Sequence, residues 1–279
     1  MKVDMHMHTY FSDGTMSPEE IVQKAKEKQV GIIAITDHNR RDSWERLQKA
    51  AREADIIPIR GVEINAAYQD KVVHLLAYGF EDNQELFDLI QLADDEMQRM
   101  SDDLMVNLSK IDERISLEDF MAYEYDRTKG GWKGLHYLLD RGVTTKLFEG
   151  FTYYREYGCD FPEYHFPTLE ELCKAIKKAG GYSVLAHPMS YFKDLNEEEL
   201  TNVLEDLRSK GLQGIECYYP THSEMMTKTC VNFCKKYNML ITTGGDEHGE
   251  FGKEAKTLDQ TIGCMDVHRE MINIEPLLK

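Results

Sequence analysis

A recurrence constrains this sequence more than any other feature: short apolar runs, each followed by a polar stretch with helical spacing. Residues 31–36 read GIIAIT, a continuous apolar run of the kind that forms a strand buried on both faces. Residues 2–7, 57–64, 72–78, 182–186, 214–218 and 240–243 read as further strands. Between them, Ser17-Pro18-Glu19-Glu20 and Thr168-Leu169-Glu170-Glu171 open helices, because Ser or Thr followed three residues later by Glu is a capping box. Further helices are expected over 43–54, 196–210 and 221–237, the second of them stopped by Gly211. About seven β/α units suggest an α/β fold, a barrel of parallel strands, with a doubly wound open sheet as the alternative that strand counting leaves open.

The alternation breaks once. Residues 82–167 are helical in pattern, with a long charged helix over 83–110 and then many aromatics, including Tyr123, Tyr125, Trp132, Tyr137, Phe148, Phe151, Tyr153, Tyr154, Tyr157 and Phe161. This stretch reads as an inserted helical cap subdomain that divides a barrel formed by 1–81 and 168–279. Long peripheral helices on a single core are the alternative. The aromatics suit the core of such a subdomain, with stacking on a base as the functional alternative.

Composition removes several function classes. With 50 acidic and 33 basic residues the formal charge is −17, which argues against long nucleic acid as a partner, since backbone binding needs many Lys and Arg contacts. A small phosphorylated substrate remains open, because bound cations invert the local field. No run approaches the ~20 apolar residues of a membrane span, and the polar N-terminus lacks the apolar core of a signal peptide. Cys159, Cys173, Cys217, Cys230, Cys234 and Cys264 form no C-x-x-C pair, so reduced thiols and a cytoplasmic location are expected.

The chemistry-bearing residues fall at one kind of position. His6 and His8 end the first strand and Asp37-His38 the second; Glu63 ends the third, and His74 lies in the fourth. His187-Pro188 ends the fifth, Glu216 the sixth, and Asp246-x-His248 follows the seventh. Strand ends form the active-site face of parallel α/β folds, so these distant residues converge on one rim. A single histidine there is ordinarily structural. Strand alternation, however, puts His6 and His8 on one face, where both can share a metal. Imidazole and carboxylate donors with no cysteine nearby suit Mn²⁺, Fe²⁺, Zn²⁺ or Co²⁺, with Mg²⁺ also admissible. The donors outnumber what one tetrahedral ion needs, so a multinuclear site is expected, bridged by a carboxylate. Such ions can hold a bridging hydroxide against a phosphate ester.

The ordered set His6-x-His8, Ser12-Asp13-Gly14, Thr36-Asp37-His38-Asn39, Gly61-x-Glu63, Ala186-His187-Pro188 and Gly245-Asp246-x-His248-Gly249 resembles the PHP (polymerase and histidinol phosphatase) family. The resemblance implies a distorted seven-stranded parallel β/α barrel with two or three divalent ions per chain, a first held by His6, His8, Glu63 and Asp246, and a second by Asp13, His38 and His248. It implies a third held by His74 and His187 with Glu63 as bridge, and it makes Asp37 a partner orienting a ligand imidazole. Asp13 stands where some relatives carry His, which favours Mn²⁺ or Fe²⁺ over Zn²⁺. The insertion, with Tyr219-Pro220 and His222 beyond it, resembles the small bacterial members that act on nucleoside 3′,5′-bisphosphates, nucleoside monophosphates or the 5′ ends of very short RNA.

Other candidates are weighed on chemistry alone. Arg40 and Arg41 could grip a phosphate near the metals, or simply start a solvated helix. Lys133, His136 and Arg141 could reach a second phosphate or a sugar, and His222 could protonate a leaving group. The expected activity is hydrolysis of a phosphomonoester on a small nucleotide. Histidinol phosphate is the runner-up substrate. An amidohydrolase-type C–N hydrolase is a third reading, although no strand-end Lys is apparent, and a non-catalytic metal-binding module is the fourth.

Overall fold

The computed structural model describes residues 1–251 and 260–278. Seven strands, β1 (Lys2–Asp4), β2 (Val30–Ile35), β3 (Ile57–Tyr68), β4 (Lys71–Tyr78), β5 (Tyr182–Leu185), β6 (Gly214–Tyr218) and β7 (Leu240–Thr243), pair in chain order into one sheet. The pairs β1–β2, β2–β3, β5–β6 and β6–β7 are parallel. Strand β4 runs antiparallel to both β3 and β5, which corrects the all-parallel expectation. The reason is local. β3 continues to Tyr68 and pairs with Lys71, so only Gln69 and Asp70 form the connection, with Gln69 in the left-handed region at φ 54°. Two residues can close a hairpin but cannot carry a crossover.

Backbone hydrogen bonds also join the two ends of the strand order. Met5 N donates to Thr243 O at 2.9 Å, Asp246 N to His6 O at 2.9 Å, and His8 N to Glu247 O at 2.8 Å. Val3, Ile32, Ile59, Leu76, Val184 and Leu240, from six different strands, pack in one buried cluster. On the other face of β2, Ile33 and Ile35 pack against Ile21, Val22 and Leu47 of the helices α1 (Pro18–Glu27) and α2 (Trp44–Ala54). Alternate residues of one strand thus feed two cores, as strand geometry requires.

The sequence-predicted capping boxes at Ser17–Glu20 and Thr168–Glu171 both form, and Asn196–Glu199 makes another. Between β4 and β5 the chain forms α3 (Gln84–Leu108), α4 (Leu117–Ala122), α5 (Lys133–Asp140), α6 (Gly150–Glu156) and α7 (Leu169–Lys178). α3 and α7 lie antiparallel: the start of α3 meets the end of α7, where Glu81 N donates to Ala179 O at 2.8 Å and Lys178 pairs with Glu85. Trp132 is the aromatic hub of the segment, edge-on to Phe151, Tyr154 and Phe161. Its apolar residues join the same buried cluster as those of β3, β4 and α7, so most of its aromatics serve as core.

After β5 come α8 (Met189–Phe192), α9 (Glu197–Ser209) and, after β6, α10 (Glu224–Tyr237). α10 starts later than the sequence pattern suggests because Ser223 is its N-cap, accepting from Met226 N. That leaves His222 in the preceding turn. The tail beyond Gly249, unassigned from sequence, forms short 3-10 turns at Arg269–Met271 and Glu275–Leu277, with residues 252–259 outside the described set. Among the described residues no helix is long and apolar enough to cross a membrane.

Candidate metal centre

The site is built where the strands end. His6 and His8 extend β1, and the hydrogen bonds to residues 246 and 247 hold that segment straight, so both imidazoles point the same way with centroids 5.2 Å apart. Glu63 lies within β3 beside His38, to which it is bridged in parallel. His74 comes from the first half of β4. Because β4 is reversed, its N-terminal half lies at the rim where its neighbours end, and Ala186 N donates to His74 O at 3.1 Å, bringing His187 alongside.

Glu63 is the centre of this arrangement. Its side chain is fully buried, yet five imidazoles surround it. Oε2 lies 3.0 Å from His6 Nε2, 3.2 Å from His8 Nε2 and 3.2 Å from His38 Nδ1. Oε1 lies 2.9 Å from His74 Nδ1 and 3.0 Å from His187 Nε2. Asp246 Oδ1 is 3.2 Å from His8 Nε2 and 3.5 Å from His6 Nε2. On the far side of His8, Asp13 Oδ1 is 3.3 Å from His248 Nε2, and Asp13 Oδ2 is 3.9 Å from His38 Nε2.

Three sets of donors converge within 4.8 Å: His6, His8, Glu63 and Asp246; His8, Asp13, His38 and His248; and His38, Glu63 and His74. The structure therefore brings all nine sequence-predicted metal residues into one cluster. It adds His8 to the second set and makes His38 a neighbour of the third. His187 reaches that third set through Glu63 Oε1.

The chemistry of the donors fits divalent cations. Burial opposes charge on His6, His8, Asp13, His38 and Glu63. Even so, Glu63, Glu216 and Asp246 hold the His6 imidazole well above its ordinary range, and Asp246 and Glu63 push His8 up to about 9. Glu63 lies well below the ordinary carboxylate range, against burial, because of His6, His38 and His74. At His38 burial prevails and takes the imidazole down to about 3. The carboxylates thus call for more positive charge than closely packed imidazoles can supply together. Neutral imidazoles around divalent ions meet that demand. Buried nitrogens lack hydrogen-bond partners in the same place: both of His8, Nδ1 of His38 and Nδ1 of His187. His8 Nε2 is near two carboxylates, but neither contact has hydrogen-bond geometry.

Glu216, a strand-end carboxylate in the sequence, carries no sequence-predicted role. It is fully buried, accepts from His6 Nδ1 at 3.0 Å through Oε1, and accepts from His187 N at 2.8 Å through Oε2. It therefore fixes the imidazole of one donor and the backbone of another. His187 and Asp246 have positive φ, 27° and 54°, a conformation that non-glycine residues hold only when the surroundings enforce it. Gly244 makes the arrangement possible, since a Cβ there would stand 2.1 Å from His6 Cβ and 2.7 Å from Glu216 Oε1.

Asp37 differs from expectation. It touches no imidazole: Oδ1 accepts from Thr9 N at 2.7 Å and from Ser12 Oγ at 2.8 Å. A carboxylate at the end of β2 meets the donors of the turn that follows His8, and so fixes the turn that presents Asp13.

Above the cluster lies a cavity of about 280 Å³ lined by His38, Glu63, Val72, His74, Phe161, His187, Ser190, Tyr191, Tyr219, Asp246 and His248. None of the five basic residues proposed from sequence as substrate contacts lines it. Arg40 is drawn to Asp42 and Asp94, and the Arg41 guanidinium lies 3.8 Å over the Phe87 ring. Lys133 sits over Phe120 and donates to Met121 O. His136 is buried, stacked on Tyr125 and bonded to Gly130 O, while Arg141 pairs with Asp119 over Tyr137. His222 also lies outside that lining. Its Nδ1 donates to Cys217 O at 3.1 Å, and burial pushes its imidazole down to about 4, so it is neutral at pH 7 and a poor proton donor.

The cavity lining also holds residues to which the strand-end pattern assigns no role, Phe161 and Tyr219 among them. Phe161 is the insertion's contribution. Tyr219 donates to Asp246 Oδ2 at 2.8 Å and accepts from Gln260 Nε2 at 2.9 Å. Nothing in strand-end periodicity signals either, because both sit in irregular segments.

A family model for the PHP domain matches residues 4–260. The chain is 23% identical over 275 residues to a 5′-3′ exoribonuclease of Haemophilus influenzae, covering 94% of this chain and 97% of that protein. It is 24% identical over 277 residues to a 3′,5′-nucleoside bisphosphate phosphatase of Chromobacterium violaceum, covering 96% of each. A crystal structure from Bifidobacterium adolescentis, of a protein assigned as a metal-dependent phosphoesterase, aligns with a TM-score of 0.76 at 25% identity. That alignment covers 96% of this chain and 93% of the other.

Proposed function

The chain belongs to the PHP domain family, whose members are metal-dependent phosphoesterases, and from that premise we propose that it removes a phosphate from a small nucleotide. The substrates we name are a nucleoside 3′,5′-bisphosphate, a nucleoside monophosphate and the 5′ end of a very short RNA. The observation that carries the reading is Glu63: one buried carboxylate among five imidazoles, opening onto a cavity.

In this reading His6, His8, Glu63 and Asp246 hold one divalent ion. Asp13, His38 and His248 hold a second, and His74 and His187 share a third with Glu63. Manganese or iron suits this mixed set of imidazole and carboxylate donors, with zinc and magnesium as alternatives. Bound ions would supply Lewis-acid charge and an activated water for attack at phosphorus. The chain's own residues do the rest. Glu216 keeps His6 Nδ1 protonated and its Nε2 turned inward. Tyr219 engages the outer oxygen of Asp246, leaving Oδ1 facing the imidazoles.

The substrate class rests on the cavity and on the relatives. A space of about 280 Å³ admits a small ester rather than a duplex. Phe161 and Val72 add apolar surface to the lining, suited to a base or sugar. The bonds between the His6 segment and residues 243–246 support a distorted barrel, and the 82–167 segment is proposed as its cap.

The test is phosphate release from purified protein loaded with Mn²⁺. Adenosine 3′,5′-bisphosphate, adenosine monophosphate, a 5′-phosphorylated trinucleotide, histidinol phosphate and a cyclic phosphate diester make the panel. Release from the first three, and not from the last two, is expected. No release from any of them with metal confirmed bound overturns the proposal.

A further inference from the structure

The cavity over the donor cluster has an uneven supply of hydrogen-bond donors. Among its described lining residues there is no Arg and no Lys. A dianionic phosphoryl group needs more than cations: its oxygens also accept hydrogen bonds, and a fixed neutral donor contributes without bringing a competing charge. Two tyrosines line the space, and they differ in one respect. The Tyr219 hydroxyl is used at both ends, giving its proton to Asp246 and receiving one from Gln260.

Tyr191 is arranged otherwise. Its oxygen accepts the backbone N–H of His74 at 2.9 Å, and its own proton has no acceptor among the described residues. The ring sits 5.5 Å from that of His187 and 6.2 Å from that of His74, directly beside the donors grouped on Glu63 Oε1. The ring also meets that of Phe192 edge-on, with centroids 6.0 Å apart. A phenol is protonated at neutral pH, so its hydroxyl is a donor there. The His74 contact orients the oxygen, and the remaining O–H is left for a ligand in the cavity.

We propose that the Tyr191 hydroxyl donates a hydrogen bond to a non-bridging phosphoryl oxygen of the bound substrate, at the side of the centre formed by His74, His187 and Glu63. The inference rests on the phosphoester reading above and adds a specific recognition element to it. The tyrosine holds the phosphoryl group in register and transfers no proton. Its contribution persists in the product complex with inorganic phosphate.

The experiment uses the full chain loaded with Mn²⁺, comparing wild type with Tyr191→Phe. Phenylalanine keeps the ring that packs on His187 and Phe192 and removes only the hydroxyl. Inorganic phosphate is titrated calorimetrically, Mn²⁺ content and affinity are measured on the same samples, and kcat and KM are taken with adenosine 3′,5′-bisphosphate. A hydrogen bond to a charged acceptor predicts that phosphate affinity and kcat/KM both fall about 10- to 100-fold, with Mn²⁺ affinity unchanged. Unchanged phosphate affinity overturns the proposal. So does a parallel fall in Mn²⁺ affinity, which would make the tyrosine a support for His74 only. If wild type hydrolyses nothing, the phosphoester reading fails while the phosphate titration still decides the role of Tyr191.

Discussion

His6 Nδ1 and Glu216 Oε1 lie 3.0 Å apart, both fully buried, although 210 residues separate them in the chain. The other oxygen of the same carboxylate holds the backbone N–H of His187. One side chain therefore sets the tautomer of one donor and the strained backbone of another. Glu216→Gln keeps the volume but offers only one acceptor oxygen for two donors. We expect metal affinity to fall about 10- to 100-fold, as for other partners of metal-bound imidazoles. Isothermal titration with Mn²⁺ measures it, and unchanged affinity would refute the role.

Glu63→Gln should be more damaging still. It removes the charge that five imidazoles share, so we expect metal stoichiometry to drop by at least one ion per chain. Phosphate release should fall by at least about 100-fold. Elemental analysis alongside turnover separates this outcome from misfolding.

Gly244→Ala tests the packing behind the site. The added methyl would stand 2.1 Å from His6 Cβ, and overpacking of this kind costs about 1–3 kcal/mol or more. Chemical denaturation of the metal-free protein should show that loss. Stability equal to wild type would mean the β7–β1 junction yields easily.

His222 supplies a pH dependence. Burial lowers its folded value to about 4 from an ordinary 6.5, so the unfolded chain binds the proton more readily between those values. Its contribution is complete above pH 6.5 and is lost as the pH falls towards 4, by on the order of 3 kcal/mol. His222→Gln should flatten the stability profile in that window, measured by urea denaturation in chelator. A slope identical to wild type would contradict it.

The cap residues provide a contrast. Lys133→Ala and Arg141→Ala should leave kcat/KM within about twofold, since both side chains are engaged away from the cavity over the cluster. Phe161→Ala should raise KM about tenfold, the scale of one aromatic contact to a base. Steady-state kinetics with the best substrate decides between the two patterns.

What could be read in advance follows a physical division. Strand ends were legible because hydrophobic runs mark strands, and a strand's end is where His6, Asp37 or His187 must emerge. Capping boxes were legible because Ser17–Glu20 and Thr168–Glu171 act within one turn of chain. The reversal of β4 was not, because β3 carries its apolar pattern past the rim and the two-residue turn at Gln69-Asp70 looks like any polar break. The basic residues expected at the substrate are engaged elsewhere for another reason. Arg40 and Arg141 carry the charge a phosphate needs, but each meets a nearer carboxylate in a chain this acidic, and Lys133 lies over Phe120 and donates to Met121 O. Tyr191 and Phe161 are ordinary aromatics until the fold aims them.

The hydrogen bond between Glu81 and Ala179 has an architectural consequence. Because β4 runs downward, it delivers the chain to the face opposite the metals. α3, 25 residues and so about 37 Å long, climbs back up, and α7 descends to meet its foot. Everything between these two residues is a detour that leaves and rejoins the backbone at one point. The detour is still anchored along its length, because Gly131 N donates to Asp13 O at 2.8 Å and Ala67 N to Pro167 O at 2.9 Å, so a change in its length is felt first at the turn that carries Asp13 and at the end of β3.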